Sequence, residues 1–264
     1  MSSTKLPQSV YRAVLRREAA TTFRNRFVQI FALVAVGGSI AVGALSGRPE
    51  ALPFGLLLLF LYVVPLFGLL VGVSAAHEDR DERTFLWSQP VPRSIYVLSK
   101  TATLVGALAA VLVAALVAGA VGGASGGTLA LLWGLGVALI LVSVSGGVTV
   151  GQYTASRAHG LMIALGLWFG AFALYDALAL ALSGVELVQG LPAFWVGLLL
   201  LNPLDAVRLA GLFGLENVPF SVSGQAAWVA DLTTWLPAWV AVLTVLWTGL
   251  LLVLACRHLQ QVDV

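Results

Sequence analysis

Leu52–Arg83 reads LPFGLLLLFLYVVPLFGLLVGVSAAHEDRDER. Residues 52–76 carry no charged side chain, whereas all seven residues from His77 to Arg83 can carry charge. An apolar run of about 20 residues is long enough to cross a bilayer as a helix. The stretch therefore predicts a membrane-spanning helix that ends in a strongly charged loop.

The whole chain has the composition of a membrane protein. Of its 264 residues 59% are hydrophobic and 10% are charged, and the mean hydropathy is +0.97, whereas soluble domains are about 25% charged. The apolar runs are continuous and lack the alternating segments of a β-barrel. We predict an all-α integral membrane protein with six spans, at about residues 27–45, 52–76, 101–122, 129–152, 161–182 and 236–256.

Lysine and arginine are unequally divided between the two sides of this predicted topology. If the N-terminus lies in the cytoplasm, 12 of the 14 basic residues fall on the cytoplasmic side, and only Arg48 and Arg208 fall outside. The positive-inside rule then predicts that both termini of this multi-pass chain lie on the cytoplasmic side of the cell membrane. The net charge of +2 gives no indication of nucleic-acid binding.

Residues 1–26 precede the first predicted span and are polar and basic. Leu6, Val10 and Val14 recur every four residues, and the arginines lie on other faces of the same helix. This pattern predicts an amphipathic helix in the inner headgroup layer, with its arginines on anionic membrane lipid. The alternative is a basic flank that only obeys the positive-inside rule. Residues 27–264 then form the six-helix transmembrane domain.

Residues 77–100 form the predicted cytoplasmic loop between spans two and three. Phe85–Trp87 form a compact apolar knob beside dense charge, Pro90 and Pro92 break the helix, and Arg93 begins the helix leading into span three. Exposed apolar side chains rimmed by charge are typical of docking surfaces. The alternative is a solvated loop whose knob rests on the membrane surface.

Residues 183–235 form the predicted outer region between spans five and six. They contain LPAFWVGLLLLNP, Leu191–Pro203, which is apolar but too short to span. Pro192 suits a helix start, and Pro203 breaks the helix before a second short one. We predict two half-helices that form a re-entrant hairpin, followed by a polar loop with aromatic anchors at Trp228, Trp235 and Trp239.

Asp176 is the one carboxylate well inside a predicted span. An intramembrane acid indicates a substrate or proton site, and the alternative is a structural ion pair with the outer hairpin. Asp205 and Arg208 lie three residues apart on one face of the second half-helix. Because unpaired charges are costly in a low-dielectric layer, we expect Arg208 to bridge the two carboxylates.

The sequence indicates no catalytic or metal site. It has no phosphate-binding loop of the G-x-x-x-x-G-K-[ST] type and no arrangement resembling a catalytic triad. One cysteine, two methionines and three histidines offer few soft metal ligands. We therefore expect no catalytic residue, no metal site and no cofactor bound by this chain.

Glu78–Lys100, EDRDERTFLWSQPVPRSIYVLSK, is similar to the cytoplasmic coupling segment of ABC-2 type permeases. That family's pattern is E-R-x-x-G-T-[apolar]-x-x-P-[VI]-x-R-x-x-[apolar]-x-x-K, and its glycine before the threonine is absent here. In the family this segment docks into a groove of a separate ATPase subunit. The resemblance implies an ATPase-coupling surface made of Glu82, Arg83, Thr84, Phe85, Leu86, Trp87, Pro90, Arg93 and Lys100.

A narrower resemblance, to NosY-type permeases, covers Gly160–Leu212. LLLLNPLDAVRL matches the N-P-x-D-x-x-R-[LI] motif of these permeases, and ALYDALAL carries their span-five aspartate. The resemblance implies a homodimer with two ATP-binding ABC subunits, which bind ATP and magnesium, and an extracytoplasmic β-helical partner linked to copper-site assembly in nitrous oxide reductase. It also implies an outer hairpin or transport path at Asp176, Asn202, Pro203, Asp205 and Arg208.

Three functions remain open at this point. A NosY-like subunit would support maturation of nitrous oxide reductase, either by moving a copper or sulfur species or by transmitting ATP-driven motion to an outer partner. A general ABC-2 exporter would move a lipid, drug or peptide. A membrane scaffold or membrane enzyme would work without an ATPase.

Overall fold

The structure, a computed structural model, describes residues 22, 25–48, 50–78, 93–120, 123–184, 192–215 and 226–261. Within these residues the regular structure is helical throughout, with no strand. A π-helical turn, Gly170–Leu174, separates the fifth and sixth α-helices. The α-helices in chain order are α1 Arg26–Leu45, α2 Leu52–Glu78, α3 Arg93–Gly119, α4 Gly126–Tyr153, α5 Arg157–Phe169, α6 Tyr175–Ser183, α7 Pro192–Leu201, α8 Pro203–Gly214 and α9 Ala226–Gln261.

Six segments of the described chain are long and apolar enough to cross a membrane, which confirms the predicted number of spans. The fifth, called span five below, consists of α5, the π-helical turn and α6. The chain is therefore a multi-pass membrane protein. The segments are Arg26–Leu45, Leu52–Glu78, Ser94–Gly119, Gly126–Tyr153, Arg157–Leu182 and Thr234–Gln261.

The last helix is longer than the span predicted for it. α9 begins at Ala226, so Trp228, Trp235 and Trp239 lie on a helix and not in the expected polar loop. The segment AAWVADLTTW contains neither glycine nor proline. Once the apolar part is helical, each preceding residue adds a hydrogen bond at little further cost, and the helix extends.

The parallel pair α2 and α4 forms the centre of the fold. Gly72 lies against Gly147 and Gly151 against Ala76, so the two backbones touch. A Cβ atom on Gly72 would lie 2.6 Å from the carbonyl oxygen of Val144. Small residues spaced by four let membrane helices approach this closely. Because the atoms nearest to a Cβ at Gly72 or Gly147 belong to the backbone, the seam has no room for a larger side chain at either position.

Span five lies at the edge of the helical bundle. Only 6% of its most apolar window is buried, against 61% for α2. Its π-helical turn interrupts the regular hydrogen-bond ladder near the midpoint of residues 157–183. Span five is therefore held more by its polar contacts than by apolar packing.

Helices α7 and α8 form the two half-helices expected from the sequence. Asn202 breaks the chain between them and caps α8, whose first residue is Pro203. On α8, Gly211 packs against Leu57, and Gly214 against Leu131, so the hairpin lies on α2 and α4. Entry of this hairpin into the membrane stays a prediction.

Two predicted elements lie wholly or partly outside the described residues. Of the N-terminal interfacial helix predicted on residues 1–26, only residues 22, 25 and 26 are described, and of the coupling loop predicted on residues 77–100, residues 79–92 are not described. At the edge of the second, α3 begins at Arg93, and Lys100 is buried on that helix.

Candidate functional site: two polar clusters on span five

The first cluster joins span five to α8 and is called the hairpin cluster: Asp176, Asn202, Asp205 and Arg208. The guanidinium of Arg208 donates to both carboxylate oxygens of Asp176, at 3.0 and 3.1 Å. Its Nη1 atom also lies 3.0 Å from Oδ1 of Asp205. Arg208 thus lies between the two carboxylates, in the arrangement expected from the sequence.

Asn202 uses both ends of its amide in this cluster. Its Oδ1 accepts a hydrogen bond from the Leu204 amide and caps α8, while its Nδ2 donates to Oδ2 of Asp205 at 2.7 Å. The same Nδ2 donates to the carbonyl oxygen of Ala171 at 2.8 Å. Ala171 belongs to the π-helical turn, where the regular ladder of backbone hydrogen bonds is interrupted. The hairpin turn is therefore bonded to span five beside that span's midpoint.

Aromatic rings extend the hairpin cluster to α2. The Phe172 ring lies 5.7 Å from Cζ of Arg208 and packs edge-on against Tyr62, with ring centroids 4.4 Å apart. Trp168 stacks on Phe172, and its indole N–H donates to the carbonyl oxygen of Tyr62 at 3.2 Å. Span five is thereby fixed to α2 and α8 at the same level.

The hairpin cluster contains two carboxylates and one guanidinium, so it carries a charge of −1 when all three are ionised. Asp205 is only 2% exposed. Its pKa is raised to about 6, and burial is the largest cause; Arg208 opposes this rise, the charge of Asp176 adds to it, and the hydrogen bond from Asn202 opposes it. Asp205 can therefore take up a proton at a pH well above the usual range for an aspartate.

The second cluster lies at the beginning of span five and is called the Arg157 cluster: Asn25, Ser74, Glu78 and Arg157. Arg157 Nη2 donates to the hydroxyl of Ser74 at 2.8 Å and lies 3.9 Å from Glu78 Oε1. The Ser74 hydroxyl in turn donates to Glu78 at 3.0 Å. The guanidinium of Arg157 also lies 5.7 Å from the centre of the Phe27 ring.

Asn25 brings the start of α1 into this second cluster. Its side-chain oxygen caps α1, and its Nδ2 donates to Ser74 at 3.2 Å and to Glu78 at 3.1 Å. The cluster thus ties together the first residues of α1 and α5 and the last residues of α2. Glu78 is the last described residue before residues 79–92, which form most of the predicted coupling loop.

Sequence analysis did not find the Arg157 cluster. A signal was present, because Arg157 is the only lysine or arginine in the short connection between spans four and five. Among the residues implied by the ABC-2 resemblance, those from Glu82 to Pro90 lie outside the described chain. Within the described chain, no group of three or more His, Cys, Asp or Glu side chains could hold a metal ion.

No family model matches the sequence. Two curated relatives do, and each is described as a probable ABC transporter permease protein NosY. The protein of Stutzerimonas stutzeri is 30% identical over 267 residues, covering 92% of this chain and 95% of the relative. The chain belongs to the NosY family of ABC transporter permeases. The protein of Pseudomonas aeruginosa is 28% identical over 264 residues, covering 92% of this chain and 94% of the relative.

This family membership rests on nearly the whole chain and not on one motif. As a NosY-family permease, the chain is a membrane subunit of an ABC system. Its two polar clusters both lie on span five, one at its beginning and one in its second half.

Proposed function

We propose that this permease forms a homodimer with two ATP-binding ABC subunits in the cell membrane, with both termini in the cytoplasm. It supports copper-site maturation of nitrous oxide reductase by transmitting ATP-driven motion to an extracytoplasmic β-helical partner. ATP and magnesium bind to the ATPase subunits, which carry out the hydrolysis. One observation carries the proposal: span five is poorly buried, yet polar clusters fix it at its beginning and in its second half.

The Arg157 cluster is the input end in this proposal. The segment that would dock on the ATPase follows directly after Glu78. Displacement of that segment would move the end of α2, and Arg157 contacts both Ser74 and Glu78 there. The beginning of span five would therefore follow the coupling segment.

The hairpin cluster is the output end. Arg208 holds Asp176 through two hydrogen bonds, so a rotation or shift of α6 pulls on α8. The α7–α8 hairpin would dip into the outer leaflet and carry the displacement to the outer partner. The π-helical turn between the two clusters provides a place where span five can change its helical register.

Passage of copper through this chain is the weaker variant of the proposal. One cysteine, two methionines and three histidines are few for a relay of soft ligands across a membrane. Mechanical coupling requires no such ligands, and both clusters serve it directly.

The test is Arg157→Gln, with Arg257→Gln on the exposed face of α9 as the matched control. Each variant is expressed with the ATPase subunit and the outer partner in a denitrifying bacterium that lacks its own NosY permease. We expect Arg157→Gln to co-purify with the ATPase but to lower the copper content and the activity of nitrous oxide reductase by about tenfold. Residues along a coupling path change coupling by about 0.5–2 kcal/mol. Arg257→Gln should behave as the unmodified chain.

Two results would contradict the proposal. Normal maturation with Arg157→Gln would exclude the mechanical route through span five. ATP-dependent movement of a lipid, drug or peptide, without any support of maturation, would favour the exporter alternative.

A further inference from the structure

A cavity of about 520 Å³ lies between α2, α4, span five, α9 and the hairpin turn. Its volume is within the range of about 300–1,000 Å³ that ligand cavities have. The proposed mechanical function does not use it. Its lining residues include Ser143, Gly166, Leu167, Tyr175, Leu201 and Trp247.

Within the part of the chain that the structure describes, the wall of the cavity offers no free hydrogen-bonding side chain. Its described lining contains no charged residue, and its five polar side chains all have partners within the protein. These bonds are Ser143 to the Leu139 carbonyl at 2.6 Å, Trp168 to Tyr62 at 3.2 Å, Tyr175 to the Leu198 carbonyl, Asn202 to Ala171 at 2.8 Å, and Trp247 to Leu201 at 3.4 Å. An ion, a sugar or a peptide would lose its hydration here without replacement, so the wall selects an apolar occupant.

The cavity opens sideways at the middle depth of the spans. Leu167 and Leu201 line it and are 49% and 57% exposed on the surface of the chain. Its wall comes from the central parts of α2, α4 and span five, which in a bilayer lie in the hydrocarbon layer. The medium at the opening is therefore acyl chain, and an empty apolar cavity would forfeit dispersion contacts that such a chain supplies.

We propose that this cavity binds an acyl chain of a membrane phospholipid, held between the π-helical turn and the hairpin turn. This acyl chain is a resident ligand that fills the space left by the interrupted helix. The alternative occupant is a side chain of a second copy of the permease, and the experiment separates the two.

The test uses a phosphatidylcholine with a diazirine group in the middle of one acyl chain, incorporated into nanodiscs with the permease and its ATPase. After irradiation, labelled peptides are mapped by mass spectrometry. The filling variant is Gly166→Leu, because no atom lies within 4 Å of a Cβ at Gly166. The control is Gly249→Leu on α9, which also has no atom within 4 Å and lies away from the wall.

We expect label on the peptides that contain Leu167 and Leu201. Gly166→Leu should lower this labelling by about tenfold, which corresponds to about 1.4 kcal/mol of binding free energy, and Gly249→Leu should leave it unchanged. Gly170→Leu, also in open space on the wall, serves as a second filling variant. Labelling spread evenly over the lipid-facing helices would overturn the proposal. So would a disulfide between two copies at Leu201→Cys in a Cys256→Ser background, because the partner copy would then occupy the opening.

Discussion

The pair α2–α4 and span five are held in the protein in opposite ways. α2 and α4 touch through glycines, with backbone against backbone, and most of the apolar window of α2 is buried. Span five is peripheral, contains a π-helical turn and is fixed by side chains of opposite charge. Close packing of backbone against backbone resists displacement, because there is no free space between the two helices. Polar side-chain contacts can instead break and form again with other partners.

The difference indicates that α2 and α4 form one rigid unit and that span five can move relative to it. A glycine seam cannot slide without backbone clashes, so α2 and α4 can only move together. Span five can shift or rotate while Arg157 and Asp176 keep hold of their partners. Four sets of substitutions test this contrast, beginning with the largest expected effect.

Replacement of Arg208 should have the largest effect. Arg208→Ala leaves Asp205, which is 2% exposed, without its counterion, and loss of one partner of a buried pair costs about 3–5 kcal/mol. Asp176→Asn should be much milder, at about 1 kcal/mol or less, because the Asp176 side chain is 41% exposed and Asp205 still balances Arg208. The measurements are thermal unfolding in nanodiscs and maturation of nitrous oxide reductase at matched expression levels.

A double-mutant cycle decides whether the pair acts as one unit. Residues in contact show interaction energies of about 0.5–3 kcal/mol. If the effects of Arg208→Ala and Asp176→Ala on stability and maturation are additive, the ion pair between these residues contributes nothing to function. Asp176 then returns as a candidate substrate or proton site.

Substitution in the glycine seam should come next. Gly72→Ala places a Cβ 2.6 Å from the carbonyl oxygen of Val144 and 2.7 Å from the amide nitrogen of Val148. Overpacking of this kind costs about 1–3 kcal/mol, and the midpoint of thermal unfolding should fall accordingly. Gly134→Ala on the same α4 helix meets no atom within 4 Å and serves as the control. An unchanged midpoint for Gly72→Ala would show that the central pair is not a rigid unit.

The two capping asparagines allow a finer comparison of the two clusters. Asn25 and Asn202 each cap a helix with the side-chain oxygen and donate across the cluster with the amide nitrogen. Asn→Ser at either position keeps a capping oxygen but loses the cross-cluster donor, at about 1 kcal/mol. We expect each variant to fold and to weaken maturation, with normal binding of the ATPase measured by co-purification. Loss of stability without any loss of maturation would assign both asparagines a capping role alone.

The spans and the hairpin break could be predicted because single residues determine them. Charge cannot remain in hydrocarbon without a partner, so the charged residues from His77 onward limit the second span, and Pro203 cannot continue the helix that precedes it. The pairing of Arg208 with Asp176 was predictable for the same reason, since both had to be neutralised at a similar depth.

The π-helical turn and the Arg157 cluster could not be predicted in this way. GAFAL is compatible with an ordinary α-helix, whereas in the structure the Tyr175 amide donates to the Gly170 carbonyl oxygen, five residues earlier. The Ala171 carbonyl oxygen of this turn accepts a hydrogen bond from Asn202. The Arg157 cluster joins residues 83 positions apart in the sequence. Such a contact depends on how α1, α2 and α5 assemble, and the one local signal, an isolated arginine between spans four and five, does not identify its partners.

The substitutions with the smallest expected effect determine on which side of the membrane each end of α4 lies. Gly126 is the first residue of α4, and Ala155 follows shortly after its last residue, Tyr153. Both positions are exposed and suit substitution by cysteine. The positive-inside rule places Ala155, beside Arg157, in the cytoplasm. In a Cys256→Ser background, an impermeant maleimide added to intact cells should label Gly126→Cys and leave Ala155→Cys unlabelled until the membrane is opened. Neither change should alter stability by more than about 0.5 kcal/mol, as is usual at the surface. Labelling of Ala155→Cys in intact cells would place the Arg157 cluster on the outer side, where no ATPase could drive it. The contrast between the fixed pair and span five would remain, but the direction in which motion passes along span five would be reversed.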